Sequence, residues 1–177
     1  MRAMGPGSVS SLLKIALDVV YVALWAVIGA LVIGAIAALL FPIDQNLVAT
    51  TEVNGAIREI RLTKPVLAGG LGVFAAYCGI IVFIVGRVRR VFATLIAGDP
   101  FQPPNVNRLR LIGVGLAGLE AGNIAIRMAA AAVLPGVVQE TSGWPDLTAW
   151  FSVLVVFVLA EVFREGARLR REAELTI

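Results

Sequence analysis

Histidine is absent from this 177-residue chain, and cysteine occurs once, as Cys78 inside an apolar run. Without histidine the commonest general base is missing, Ser-His-Asp and Cys-His arrangements are excluded, and so are most zinc sites. A lone cysteine forms neither an intramolecular disulfide nor a cysteine metal cage. Charge is scarce as well. Only 15% of the residues are charged while 59% are hydrophobic, and the mean hydropathy is +0.90, whereas soluble domains are about half apolar and about a quarter charged. No glycine-rich phosphate loop with a lysine, no metal-ligand spacing and no nucleophile beside a base can be found. The sequence therefore reads as non-enzymatic, with no catalytic residue, cofactor or metal site expected.

What is present is apolar length. Four stretches approach or exceed the roughly 20 residues that a helix needs to cross a hydrocarbon layer of about 30 Å. The expected fold is an all-α integral membrane protein, one four-helix bundle with spans at about 12–41, 66–86, 109–134 and 147–163. The first run, Leu12–Phe41, is too long for the apolar part of a secretory signal and reads as a retained span. Ala26, Ala30, Gly34 and Ala38 recur along it as a ridge of small residues, and Gly72, Gly79 and Gly86 do the same in the second span.

Between the first two spans the period changes. Leu47–Val53 and Ala56–Leu62 flank Asn54-Gly55, the dipeptide suited to a type I′ turn, and predict a β-hairpin over 47–62. The second and fourth spans are expected to continue past the hydrocarbon as helices, giving a loop over 87–108 and a charged C-terminal helix over 164–174. Gly98 suits the end of the second helix, Asp99-Pro100 a turn, and Asn105 the N-cap of the third helix. Glu161/Arg164, Glu165/Arg168, Arg168/Glu172 and Arg170/Glu174 stand at helical spacing for ion pairs.

Orientation follows from cation asymmetry. Arg2, Lys14, Arg87, Arg89, Arg90, Arg108, Arg110, Arg164, Arg168, Arg170 and Arg171 share one side if the spans alternate, against Arg58, Arg61 and Lys64 on the other. By the positive-inside rule both termini and the 87–108 loop are cytoplasmic and the hairpin is external. The same distribution explains a net charge of +3 without nucleic acid: the cations border apolar runs and suit lipid headgroups, so direct nucleic-acid binding is not expected.

Two groups of polar residues go beyond topology. Glu120, Asn123 and Arg127 form a stripe at membrane depth, opposite the small face Gly115, Gly118, Gly122, Ala125, Ala129 and Ala132. Counted from the far ends of their helices, Glu120 and Glu161 fall at one level, so Glu120, Asn123, Arg127 and Glu161 are a candidate intramembrane polar cluster, read as a buried clasp or as an ion path. A helix with two such faces belongs in the middle of the assembly, and the bulky fourth span at its edge. The second group is a candidate cytoplasmic platform of Asp99, Phe101, Asn105, Arg108, Arg110, Glu161, Arg164 and Glu165. Arg108 and Arg110, near the start of a helix, oppose its dipole and call for compensation by lipid phosphates or by Glu165, Glu172 and Glu174.

GDPFQPPNVNRLRLIG (98–113) and LAEVFREGARLRREAELTI (159–177) together resemble the signature segments of the bacterial membrane family of unknown function designated DUF2975. The positions carrying the likeness are Asp99, Pro100, Phe101, Asn105, Arg108, Leu109, Arg110 and Gly113, with Glu161, Phe163, Arg164, Glu165, Gly166, Leu169 and 172–177; Arg171 stands where the pattern favours an acid. The resemblance implies an inner-membrane protein and, because members are often encoded beside a small helix-turn-helix DNA-binding protein, a regulatory partner of that kind. A small transporter or channel subunit using Glu120, Asn123 and Arg127 is the alternative. Besides the bilayer, a second copy of the chain is a candidate partner, since small-residue ridges pack between chains as readily as within one.

Overall fold

The computed structural model describes residues 9–42, 48–53, 56–61, 63–133 and 147–175. Its four helices are α1 (Val9–Leu40), α2 (Lys64–Ile96), α3 (Pro103–Val133) and α4 (Leu147–Leu175), and each is long and apolar enough to cross a membrane. At about 1.5 Å per residue, helices of 29 to 33 residues reach roughly 44–50 Å, more than the hydrocarbon thickness. α2 and α4 run unbroken from their apolar segments through Arg87–Arg90 and Arg164–Arg171.

Between α1 and α2, strands β1 (Val48–Val53) and β2 (Ala56–Arg61) pair antiparallel, with Val48 opposite Arg61 and Val53 opposite Ala56. The turn dipeptide Asn54-Gly55 and the outer residues 47 and 62 of the expected hairpin lie outside the described residues.

The helices lie side by side in chain order. α1 packs on α2, α2 on α3 and α3 on α4, and among the described residues α1 and α4 do not meet. The expected four-helix bundle takes the form of an open row, with α2 and α3 inside and α1 and α4 at its edges, so that the third helix is internal and the fourth peripheral. Each neighbouring pair is antiparallel. Tyr21 lies against Gly86 and Leu71 against Gly34 between α1 and α2, Ile84 against Gly115 between α2 and α3, and Phe157 against Gly113 between α3 and α4. In each case a large side chain fills the space a glycine leaves, the packing that serves helices in lipid, where burying apolar surface gives no net drive. Few side chains are fully enclosed: Cys78, Val82, Val91, Ile112, Val153 and Ala160 are among them. Leu, Val, Ile and Phe side chains are exposed along all four helices, as expected where the bilayer is the solvent.

The small face of α3 is used only in part. Gly113 and Gly115 are buried, but a side chain added at Gly118 or Gly122 would meet nothing within 4 Å, and Asn123–Ala129 are exposed. The exposure of Asn123–Ala129 follows from the register of α4. With Phe157 against Gly113 and Phe101 against Gly166, α4 begins close to the level of Asn123, so the last turns of α3 extend past it.

A substitution pair tests the packing. Gly115→Ala would set its Cβ 2.8 Å from Cγ1 of Ile84, a stiff β-branched neighbour, and is expected to lower the unfolding free energy in detergent by about 1–2 kcal/mol. Gly118→Ala should leave it unchanged or raise it, by at most about 1 kcal/mol. Equal effects at both positions would contradict the assigned α2–α3 contact.

Candidate functional site

The loop joining α2 to α3 is built around two successive caps. α2 closes in a Schellman motif: the N–H of Gly98 donates to the carbonyl of Leu95 and that of Asp99 to the carbonyl of Thr94, each at 3.1 Å. The motif needs a positive φ, and Gly98 supplies it at +79°. α3 then starts on Pro103-Pro104, where the missing N–H groups would have had no helical acceptor.

Asn105 is therefore in the first turn of α3 and is not its N-cap, as the sequence suggested. It is fully buried, 0% exposed. Its amide Nδ2 donates to Thr94 Oγ1 at 2.6 Å and to the carbonyl of Pro100 at 2.8 Å, while its Oδ1 accepts from Arg108 Nη1 at 2.8 Å. Thr94 in turn donates to the carbonyl of Val91 at 2.7 Å. One side chain thus ties the end of α2, the turn and the start of α3 together.

Arg108 is also accounted for differently than expected. α3 begins at Pro103, which places Arg108 and Arg110 beyond its first turn, where the dipole penalty has largely decayed. Arg108 Nη1 additionally donates to the carbonyl of Arg90 at 3.3 Å, near the negative end of the antiparallel α2. Among the described residues, Glu165 and Glu172 are not its partners; the Glu174 side chain lies outside them. Arg110 is exposed, and no hydrogen bond or ion pair reaches it among the described residues.

The loop and the C-terminal half of α4 do meet, with the charges opposite to those expected: the acid is in the loop and the cation in the tail. Arg170 pairs with Asp99, whose other oxygen accepts from Gln102 Nε2 at 3.1 Å. Phe101 packs over Gly166, where an added Cβ would lie 2.6 Å from its ring, and its centroid is 5.4 Å from that of Phe163. Along α4, Glu161–Arg164, Glu165–Arg168 at 2.6 Å and Arg168–Glu172 at 3.8 Å form the expected ladder. Glu174 of the Arg170/Glu174 pairing lies outside the described side chains. These exposed pairs are screened by solvent and serve mainly to set surface charge. Beside the junction, Pro103, Val106, Glu165, Arg168, Arg171 and Leu175 line a groove of about 650 Å³. Its lining combines apolar side chains with charges of both signs.

The intramembrane cluster is not assembled. Glu161 stands close to the level of Leu109, and Glu120 close to that of Trp150, about eleven residues or roughly 16 Å apart along the helices. The cause is the α4 register set by Phe101 and Gly166, which slides α4 by about three turns from an alignment on the far helix ends. Among the described residues no hydrogen bond or ion pair joins Glu120, Asn123 and Arg127 to one another. Glu161 is exposed and pairs with Arg164 on its own helix.

One contact was missed by sequence reasoning. Asp18 of α1 receives Arg89 of α2 at 2.5 Å, and the Arg89 guanidinium lies 4.4 Å over the Tyr21 ring. Asp18 and Tyr21 stand one turn apart, and this spacing opposite an arginine-rich segment was the available signal. No group of three or more potential metal ligands occurs among the described residues.

An open row of four potential membrane-spanning helices, locked at one end by a buried asparagine and a loop–tail junction, is the class of structure defined here. The chain belongs to the family of proteins of unknown function DUF2975, whose model matches residues 16–177. Comparison with curated proteins and with solved structures gave no match.

Asn105→Leu would leave Thr94, Pro100 and Arg108 without their partner and is expected to cost about 2–4 kcal/mol of stability in detergent, measured by thermal or denaturant unfolding. The half-exposed Asp99–Arg170 pair should count for far less: a double-mutant cycle of Asp99→Asn and Arg170→Gln is expected to give a coupling of about 0.5 kcal/mol. A coupling of zero would leave the Phe101 contacts with Gly166 and Phe163 as the tie between loop and tail.

Proposed function

We propose that this chain is a non-enzymatic regulatory membrane protein of the bacterial inner membrane, whose arginine-rich end faces the cytoplasm and holds a small helix-turn-helix DNA-binding protein. In this reading both termini, the 87–108 loop and the C-terminal helix are cytoplasmic, and the hairpin is external. The cation asymmetry supports the orientation. The observation carrying the reading is the junction itself, because Asp99–Arg170 and Phe101–Gly166 combine two distant segments into one surface. The adjacent groove, lined by Val106 and Leu175 together with Glu165, Arg168 and Arg171, has the character that receives an amphipathic helix: apolar contacts anchor it, and the neighbouring charges select.

The test is copurification of the tagged full chain from its own cells after mild detergent extraction. A small DNA-binding protein is expected to coelute, and Arg110→Gln with Arg171→Gln, which spares the buried Asn105 network, should reduce its recovery at least several-fold. Recovery of no such partner, or equal recovery with the variant, would refute the proposal. The transporter alternative now rests chiefly on Glu120, for which no partner stands within the described residues; reconstituted vesicles whose ion or proton flux is absent, or unchanged by Glu120→Gln, would remove it.

A further inference from the structure

A groove of about 720 Å³ lies between α1 and α2, away from the loop–tail junction. We propose that it is a binding site for an anionic glycerophospholipid, with the headgroup phosphate among Lys14, Arg87 and Arg90 and an acyl chain along Trp25, Ile28, Gly79 and Val82.

The groove is polarised along its length. Lys14, Arg87, Arg89 and Arg90 line one end, against a single acid, Asp18. That acid is committed to Arg89, so the remaining three cations face the groove without a compensating carboxylate among the described residues. Arg87 carries a further sign of an absent anion. Its Nε is buried with no hydrogen-bond partner, and its guanidinium lies 4.6 Å over the Phe83 ring. Buried donors without an acceptor are uncommon and call for an explanation; a phosphate held side-on by Nε and a terminal nitrogen of Arg87 supplies both that acceptor and the negative charge this end lacks.

The other end excludes a soluble anion as the natural occupant. From Lys14 to Ile28 the groove runs about 21 Å along α1, and past Tyr21 its walls are Trp25, Ile28, Gly79, Val82 and Phe83. Gly79 leaves the floor open, since an added Cβ would meet nothing within 4 Å. Trp25 and Tyr21, ring centroids 6.5 Å apart, stand between the charged and apolar ends, the level at which aromatic residues border the headgroups. A charged entrance, an aromatic collar and an apolar trough match one molecule with an anionic head and an apolar tail.

Native mass spectrometry of the full chain in detergent tests the site, with phosphatidylglycerol, phosphatidylcholine and glycerol 3-phosphate as separate probes. Phosphatidylglycerol is expected to be retained about tenfold more than phosphatidylcholine, in line with several basic contacts to an anionic lipid, and glycerol 3-phosphate not at all. Lys14→Gln/Arg87→Gln/Arg90→Gln should abolish the preference, while Arg164→Gln/Arg168→Gln/Arg171→Gln, equal in charge and distant from the groove, should keep it. Gly79→Leu retains every charge but fills the trough, and should reduce phosphatidylglycerol retention several-fold, a readout that stands if the triple variant does not fold. Equal retention of the two lipids, equal loss in both triple variants, full retention by Gly79→Leu, or glycerol 3-phosphate bound as well as the lipid would each overturn the proposal.

Discussion

The side-chain amide of Asn105 satisfies polar groups that the turn between α2 and α3 would otherwise bury unpaired. Its bonds to Thr94, to the Pro100 carbonyl and from Arg108 hold the end of one helix against the start of the next. In a bilayer this has unusual weight. Each apolar helix is already stable in lipid, and association gains nothing from burying apolar surface, so shape and hydrogen bonds must choose the arrangement. With Thr94 held to Asn105, Ile84 comes level with Gly115, and the α2–α3 register follows. The same turn aims Asp99 and Phe101 at α4, and Arg170 and Gly166 receive them. The position of the fourth helix is thereby inherited from the turn.

The four spans were legible because hydrophobicity over about twenty residues is a local property, and so was the cap at Gly98, whose positive φ few other residues adopt. The ladder of Glu161, Arg164, Glu165, Arg168 and Glu172 was legible for the same reason, being set by helical spacing alone. The site was legible as two segments and not as a set of contacts. Asparagine after a proline suits an N-cap as well as a buried first-turn position, and what separates the two is Thr94, eleven residues earlier on another helix. For Arg108 the sequence offered lipid phosphates or C-terminal glutamates as compensation; acceptors nearer at hand, Asn105 Oδ1 and the carbonyl of Arg90 on the neighbouring helix, hold it instead.

Registers between helices were the least legible feature, and the reason is geometric. A ridge of small residues repeating every three or four positions looks alike to a neighbour after each turn, so it permits several alignments and chooses none. The choice falls to irregular contacts such as Phe157 at Gly113 and Phe101 at Gly166. Aligning α3 and α4 on their far ends brought Glu120 level with Glu161; the aromatic contacts move them about three turns apart. The same ambiguity made a closed bundle and an open row equally compatible with the glycine pattern.

This division of labour concentrates the determinants of assembly at the arginine-rich end. There the row has a buried hydrogen-bonded amide, a loop–tail ion pair, an aromatic seated on a glycine and the Asp18–Arg89 bridge. Toward the opposite end, Gly118 and Gly122 meet no neighbour and Asn123–Ala129 are exposed. A change at the Asn105 turn shifts the α2–α3 and α3–α4 registers, whereas the α1–α2 register is held separately by Tyr21 at Gly86 and by the Asp18–Arg89 bridge.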